Sequence, residues 1–446
     1  MSDPDPQLTA SSTEQLQALI RNACVNDGTP SSGEEIRNAH LVDDVLHDLP
    51  REHYEPVPGR RSVLATLEGS DPDAPTVLFC GHTDVVPVNA GEWREDPFGG
   101  ELLDGEVWGR GAVDMLCLTS GMLTAMRQLA DRREPPRATI KFLAVADEEA
   151  GGTWGARWIT DHAWDDVACD YVITESGGIP LHTPAGSHLL ISTAEKGIAW
   201  RRLTIHGTPS HGSMPFGADN AIITAAEVVR RLHAYEPAAQ LSDHWRAWVG
   251  ALPVDDTQRA RLLDPVYVSE AVAELPPRLA AYCQALSHVT FSPNVVHGGN
   301  KTNIVPDTVE LDLDIRVLPG VSGDDVEAML VDALGDLADR VEFSQTIEPR
   351  PATASPTDTP MFDLLRRRAE AVHPGAAVLP WMVVGGTDAA FFRRRGVPSY
   401  GAGMFSPDIS LEDFQSRFHG HDERIDTTSI GLTAQLYLDI ADAIAE

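Results

Sequence analysis

The feature that most constrains the fold is a set of short, almost uninterrupted apolar segments separated by a helical pattern. Residues 76–80, 138–146 and 171–174 are such segments and are rich in β-branched or aromatic side chains. Between the first two, residues 115–129 carry apolar side chains at helical spacing. Strands that are apolar on both faces and alternate with helices are typical of a parallel sheet covered on both sides. We therefore predict an α/β fold built on a doubly covered, mostly parallel sheet.

Potential metal ligands follow these segments at the point where each one ends. His82 follows the first, Glu148 and Glu149 follow the second, and Glu175 follows the third. Binding sites in such sheets form at the carboxyl ends of the strands. The coincidence predicts a functional site at that edge of the sheet.

A different pattern begins near Lys196 and predicts a second domain. Strands are expected at 198–206, 289–297, 309–317 and 341–347, with helices at 218–233 and 323–338. The order β-α-β-β-α-β is that of the split βαβ, ferredoxin-like unit. Strict apolar–polar alternation over 309–317 indicates that one face of this sheet is exposed to solvent.

These patterns divide the 446 residues into a discontinuous catalytic domain and an inserted α+β lid or dimerisation domain. The predicted boundaries are 1–195 and 351–446 for the catalytic domain and 196–350 for the insertion. Residues 238–287 are extra relative to the ferredoxin-like unit and are predicted to be helical. They are either a dimer contact or a peripheral addition, and the sequence favours neither. The Pro-, Thr- and Ser-rich run 349–360 is the predicted return linker.

Composition and charge exclude several classes of function. The net charge of −33 argues against nucleic acid and anionic membranes as partners. No apolar run approaches the roughly 18 residues of a membrane span. The acidic, polar N-terminus lacks the pattern of a signal peptide. We therefore expect a cytoplasmic protein with neither nucleic-acid nor membrane partners.

Five side chains have the chemistry of metal ligands: His82, Asp114, Glu149, Glu175 and His419. Two imidazoles and three carboxylates can hold two divalent ions if one carboxylate bridges, which leaves Glu148 as a base for an activated water. Singly, each has an ordinary explanation, since Asp114 could be a helix N-cap and residues 147–149 a solvated loop. His419 and His421 are equally suitable by chemistry alone. A serine or cysteine hydrolase is disfavoured because the sequence has no Gly-x-Ser-x-Gly elbow and no plausible Cys/His pair.

Three polar residues outside this set have candidate roles. Asp84, two residues after His82, can accept a hydrogen bond from that imidazole and fix its tautomer. His211 lies in a predicted turn and could donate to a developing oxyanion. Arg316 lies on the polar face of its strand, where it could bind a substrate carboxylate in bidentate fashion or merely pair with an acidic neighbour.

Together these motifs resemble the metallohydrolase family that includes acetylornithine deacetylase, succinyl-diaminopimelate desuccinylase, aminoacylase and glutamate carboxypeptidase. The resemblance extends from GHTDVVP at 81–87 to HGHDER at 419–424, with the motifs in the family's order. It implies two bound metal ions, zinc being expected and cobalt or manganese the alternatives, on the five ligands named above. It also implies that Asp114 bridges the ions, that Glu148 is the general base and that Asp84 orients His82. His419 is selected over His421 because the family's histidine lies four residues before a glutamate.

The resemblance assigns the remaining candidates as well. His211 is similar to a histidine that supports the oxyanion, often from a partner subunit, so a homodimer through the lid domain is implied. Asn303, Arg316, Gly386 and Thr387 match substrate-binding positions. The implied reaction is hydrolysis of an amide or peptide bond next to a free carboxylate, in a dipeptide or an N-acyl amino acid.

Two other functions stay open at this point. One is a biosynthetic deacylase of the acetylornithine deacetylase or succinyl-diaminopimelate desuccinylase type. The other is an inactive metal-binding relative that serves as a binding protein, which the presence of Glu148 and of all five ligands disfavours. Leu116 stands where the family usually has a lysine, a departure that removes a positive charge and is expected to affect substrate choice.

Overall fold

The computed structural model describes residues 4–183 and 186–446, and these form a ten-stranded and a five-stranded β-sheet with helices packed on them, together with one two-stranded and one three-stranded sheet. The strands are β1 (Arg51–Tyr54), β2 (Ser62–Leu67), β3 (Thr76–His82), β4 (Glu101–Leu103), β5 (Glu106–Trp108), β6 (Thr139–Val145), β7 (Tyr171–Thr174), β8 (Ile179–Thr183), β9 (Gly186–Glu195), β10 (Gly197–Ile198), β11 (Arg201–His206), β12 (Ser210–His211), β13 (Thr290–Gly298), β14 (Ile304–Val305), β15 (Thr308–Val317), β16 (Val341–Gln345), β17 (Thr353–Ala354), β18 (Ala377–Val383), β19 (Ser399–Gly401) and β20 (Arg424–Asp426). The helices are α1 (Pro6–Arg21), α2 (Ile36–Val45), α3 (Leu116–Ala130), α4 (Ala156–His162), α5 (Trp164–Val167), α6 (Ala221–Ala234), α7 (Asp243–Ala251), α8 (Asp256–Leu262), α9 (Val268–Ala273), α10 (Pro277–Ser287), α11 (Gly323–Leu334), α12 (Pro360–Val372), α13 (Ala389–Arg393), α14 (Leu411–Arg417) and α15 (Thr427–Ala443).

The large sheet has the strand order β1-β2-β6-β3-β7-β19-β9-β17, with β8 and β18 also paired to β9. Its four central strands, β6, β3, β7 and β19, run parallel to one another. The outer strands β1 and β2 are antiparallel. The predicted α/β fold is therefore confirmed, and the parallel part is the centre of the sheet.

Both faces of the central strands are covered, as their apolar sequences predict. Phe79 points into the core that β3 shares with α1, α3 and α15. Its neighbours Leu78 and Cys80 point into the opposite core, with residues of α4 and α13. A strand buried on both faces has no position for polar side chains until it ends, so the functional groups collect at the strand ends.

The small sheet has the strand order β16-β11-β15-β13, every pair being antiparallel, with β10 paired beside them to β15. Helices α6 and α11 cover one face with a core of its own. The chain order β11-α6-β13-β15-α11-β16 is the split βαβ order expected from the sequence. Along β15, buried side chains alternate with partly exposed ones, as the alternating pattern of 309–317 predicts.

The extra segment 238–287 forms α7 to α10 and packs on the large sheet. Trp245 is fully buried, and its indole Nε1 donates to the carbonyl oxygen of Leu262 at 2.9 Å. Trp248 and Cys283 belong to the same core as the large-sheet helices. Although the segment is inserted among the elements of the small sheet, its apolar side chains are buried against the other sheet.

The chain crosses between the two sheets at two adjacent places. Ile198 lies on the first crossing and Arg350 on the second, and their backbones form two hydrogen bonds of 2.8 Å with each other. Within the described residues, no helix is long and apolar enough to cross a lipid bilayer.

Candidate metal centre and substrate cavity

The candidate metal ligands lie together at the carboxyl edge of the parallel strands. His82 is the last residue of β3, Glu149 follows β6, and Glu175 directly follows β7. Asp114 lies just before α3, and His419 lies in the loop after α14. Neighbouring parallel strands end at one edge, so ligands from distant parts of the sequence converge there.

These five side chains form two groups that share Asp114. His82, Asp114 and Glu175 form one group, and Asp114, Glu149 and His419 form the other, with the candidate ligand atoms of each group within 4.8 Å of one another. The Oδ1 atom of Asp114 lies 3.2 Å from Nε2 of His82, and its Oδ2 atom lies 2.8 Å from Nε2 of His419. The two carboxylate oxygens of Asp114 therefore face different histidines, which is the arrangement that a bridging ligand needs.

The carboxylates of the cluster carry more negative charge than its two histidines can neutralise. Burial, reinforced by the charge of Asp114, raises the pKa of Glu149 to about 7 and that of Glu175 well above its usual range. Burial and the charge of Glu175 likewise raise the pKa of Glu148. The Oε1 atom of Glu149 is buried and has no hydrogen-bond partner among the described residues. Divalent cations would satisfy both the charge and this oxygen, so the donor set fits a metal centre.

Asp84 contacts the site in a way that differs from the expected one. The Nδ1 atom of His82 lies 3.0 Å from the main-chain oxygen of Asp84, whereas the carboxylate is 3.7 Å away. That carboxylate instead accepts hydrogen bonds from the backbone N–H groups of Glu148, at 3.2 Å, and Glu149, at 3.1 Å. The main chain thus orients the imidazole, and the side chain of Asp84 holds the turn that carries the candidate base and a candidate ligand.

Glu423 holds the loop of Asp114 in place, a role that the sequence analysis missed. Its Oε1 atom accepts hydrogen bonds from the backbone N–H groups of Val113, at 2.7 Å, and Asp114, at 3.0 Å. Its Oε2 atom accepts from Arg110 Nη1 at 2.6 Å and from the backbone of Gly111 at 3.1 Å. A buried carboxylate with four donors is well satisfied, so it fixes the loop rigidly. The feature of the sequence that could have indicated this role is the position of Glu423, four residues after His419.

A cavity of about 860 Å³ opens onto the metal-ligand cluster, and Glu148 lines it. Arg316, Gly386 and Thr387 line it too, as the resemblance implies. Arg316 is held by an ion pair with Asp314, with Nε 2.7 Å from Oδ1. The Thr387 hydroxyl donates to a buried carboxylate oxygen of Glu195 at 2.6 Å.

His211 and Asn303 lie elsewhere. They come from the separate two-stranded sheet of β12 and β14 and its flanking turn, where the backbone N–H of Gly212 donates to the main-chain oxygen of Asn303 at 2.8 Å. Both side chains are exposed, and neither residue lines the cavity as described. Within one chain they are therefore separate from the cluster.

Most of the cavity wall is apolar and aromatic. Its large rings belong to Trp200, Tyr282, Trp381, Phe405, Phe414 and Phe418. Tyr282 comes from α10 of the extra segment, and its ring stacks on Trp381 at a centroid distance of 5.8 Å. The Tyr282 hydroxyl donates to the Met382 oxygen, and the Trp381 indole donates to the Ser176 oxygen, both at 3.0 Å. Protein atoms thus satisfy the polar tips of these rings.

Comparison with known proteins agrees with this site. The sequence profile of Peptidase family M20/M25/M40 matches residues 78–443. The chain belongs to this family. The match covers every candidate metal ligand, so the M20 chain is a metallohydrolase, as the sequence predicts.

Individual relatives of this M20 enzyme differ in their named activities. N-fatty-acyl-amino acid synthase/hydrolase PM20D1 of Xenopus tropicalis is 28% identical over 394 residues, which cover 86% of this chain and 75% of the relative. A probable succinyl-diaminopimelate desuccinylase of Staphylococcus aureus is 25% identical over 408 residues, covering 90% and 93%. The crystal structure of an M20 family metallo-carboxypeptidase from Sulfolobus solfataricus superposes with a TM-score of 0.74 at 18% identity, over 97% and 99% of the two chains, and so shares the fold.

Proposed function

We propose that this M20 enzyme is a two-metal hydrolase that cleaves the amide bond of an N-acyl amino acid, or the peptide bond of a dipeptide, next to a free carboxylate. The observation that carries the proposal is the sharing of Asp114 between two ligand groups, with Glu148 beside them in the cavity. Two ions held by one bridging carboxylate are a recurring arrangement in hydrolases that cleave peptide bonds.

The ligands divide naturally between the two ions. His82, Asp114 and Glu175 would hold one ion, and Asp114, Glu149 and His419 would hold the other. Imidazole and carboxylate donors suit zinc, and cobalt or manganese would also fit. When bound, the ions supply positive charge that polarises the scissile carbonyl and lowers the pKa of water.

Glu148 is the proposed general base. Glu148 lines the cavity, and its backbone N–H donates to the carboxylate of Asp84, which holds the turn that carries it. Burial raises the pKa of Glu148, so its deprotonated carboxylate is a stronger base towards the attacking water. Once it has taken that proton, the carboxylic acid can return it to the leaving nitrogen.

The cavity wall favours a large apolar acyl group or side chain on the substrate. Aromatic carbon surfaces offer favourable burial to an alkyl or aryl group and little to a charged one. A succinyl carboxylate would lose its hydration against this wall, so the desuccinylase activity is the less suitable candidate. The name of the PM20D1 relative points to the same acyl chemistry. The extra helices α7 to α10 would then act as a specificity element, because they supply Tyr282.

We also propose that residues 1–195 and 351–446 act as the catalytic domain, and 196–350 as a lid that forms a homodimer in the cytoplasm. Large apolar side chains are exposed on the small-sheet domain, among them Phe216, Ile223 and Val296. His211 and Asn303 lie on the same domain and could reach the cavity of a partner. Sedimentation of the native enzyme as a monomer would contradict the dimer.

The role of Glu148 is tested with the Glu148→Gln variant. We expect turnover of N-acyl amino acids to fall by at least about a hundredfold, because the base is lost while the ligands stay. Metal analysis should still give about two ions per chain. An inactive binding protein would show no turnover even in the wild type, and unchanged turnover in the variant would eliminate Glu148 as the base.

The acyl preference is tested with a series of N-acyl leucines from acetyl to dodecanoyl. We expect kcat/KM to rise by up to about fourfold per methylene until the cavity is filled. Trp381→Ala should flatten this dependence, whereas Tyr267→Ala, which removes an exposed aromatic ring outside the cavity lining, should not. A flat profile in the wild type, or a preference for N-succinyl substrates, would refute the apolar acyl site.

A further inference from the structure

Three arginines line the cavity, and they differ in their acidic partners. Arg157 pairs with Glu348, and Arg316 pairs with Asp314. Arg316 also lies over the ring of Trp200, at 5.8 Å from its centroid. By contrast, the guanidinium of Arg350 makes neither an ion pair nor a hydrogen bond with any of the described residues. A half-buried cation without an acidic partner is unusual, and it leaves five N–H donors available to a ligand.

The position of Arg350 is fixed by its surroundings. Its backbone exchanges hydrogen bonds with Ile198 at the crossing between the two sheets. Its guanidinium lies 5.6 Å from the ring centroid of Phe391. It also lies close to the backbone of Gly151, where a Cβ atom would lie only 2.4 Å from Nη2. The absence of a side chain at Gly151 lets the guanidinium come close to the backbone two residues after the metal-ligand candidate Glu149.

We propose that Arg350 binds the free carboxylate of the substrate and is the residue that selects for it, an inference that rests on the proposed hydrolysis of N-acyl amino acids or dipeptides. The planar guanidinium matches a carboxylate in bidentate geometry. Arg316 must first separate from Asp314 to do the same, whereas Arg350 is free. Because the chain carries a net charge of −33, an anionic substrate needs a local cation to enter the cavity.

A simpler role for Arg350 would be to offset the negative charge of the metal cluster. The acids whose charge acts on Arg350 are Asp388, Glu148 and Glu195, and among the described residues it forms an ion pair with none of them. A charge-offsetting role predicts an equal effect on every substrate. A carboxylate-binding role predicts an effect only on substrates that carry the carboxylate, and this difference can be measured.

The test compares each N-acyl amino acid with its carboxamide in wild type, Arg350→Met and Arg316→Met. We expect wild type to prefer the carboxylate by roughly 10- to 100-fold in kcat/KM, as for a charged hydrogen-bonded pair. Arg350→Met should abolish this preference and Arg350→Lys should restore it in part. Arg394→Met is the matched control, because Arg394 lies over the same Phe391 ring, at 5.4 Å, but outside the cavity lining.

A binding measurement separates this inference from the proposed function. The metal-loaded Glu148→Gln protein is titrated with the intact N-acyl amino acid and with its carboxamide by calorimetry. If the double variant Glu148→Gln/Arg350→Met binds the two compounds equally, Arg350 is the carboxylate-binding residue. This conclusion holds even if the wild type hydrolyses neither compound. A preference that survives Arg350→Met, or one that Arg316→Met abolishes instead, would overturn it. An equal loss for both compounds would show a charge-offsetting role and would also overturn it.

Discussion

The structure depends on a cluster of buried carboxylates at one edge of a parallel sheet. Asp114 and Glu175 are buried, and Glu148 and Glu149 are half-buried. The imidazoles of His82 and His419 belong to the same cluster. Burying so much like charge is unfavourable unless cations share the space, because each carboxylate loses its hydration and repels the others. Bound cations would offset this charge, so we expect metal binding to stabilise the folded protein.

Hydrogen bonds to the main chain position the loops that carry these acidic residues. Asp84 accepts from the backbone of the Glu148–Glu149 turn, and Glu423 accepts from the backbone of the loop that ends at Asp114. Both contacts leave the side chains of the ligands free for other partners. A ligand held through its backbone keeps its carboxylate geometry when a substrate enters, which is the preorganisation that hydrolysis requires.

Much of this arrangement could be predicted from the sequence, because strand ends in a parallel sheet are fixed by where an apolar run stops. The apolar segments before His82, Glu148 and Glu175 predict three strand ends, even though the sequence does not show how the strands pair. In the structure these three strands are neighbours. The antiparallel outer strands carry no such signal, and β8 and β9 were missed. The extra segment was predicted to be helical, but its packing on the large sheet depends on long-range contacts of Trp245 and Trp248 that no local pattern encodes.

The functional roles of individual residues are harder to predict from the sequence than the fold. Arg350 lies in the run 349–360 that the sequence predicts to be a linker, and only the structure shows that its half-buried guanidinium lines the cavity close to Gly151. The shared position of Asp114 is the central claim, and anomalous diffraction from crystals grown with zinc tests it most directly. We expect two metal peaks, one between Asp114 Oδ1 and His82 and the other between Asp114 Oδ2 and His419. A single peak, or two peaks that do not share Asp114, would contradict it.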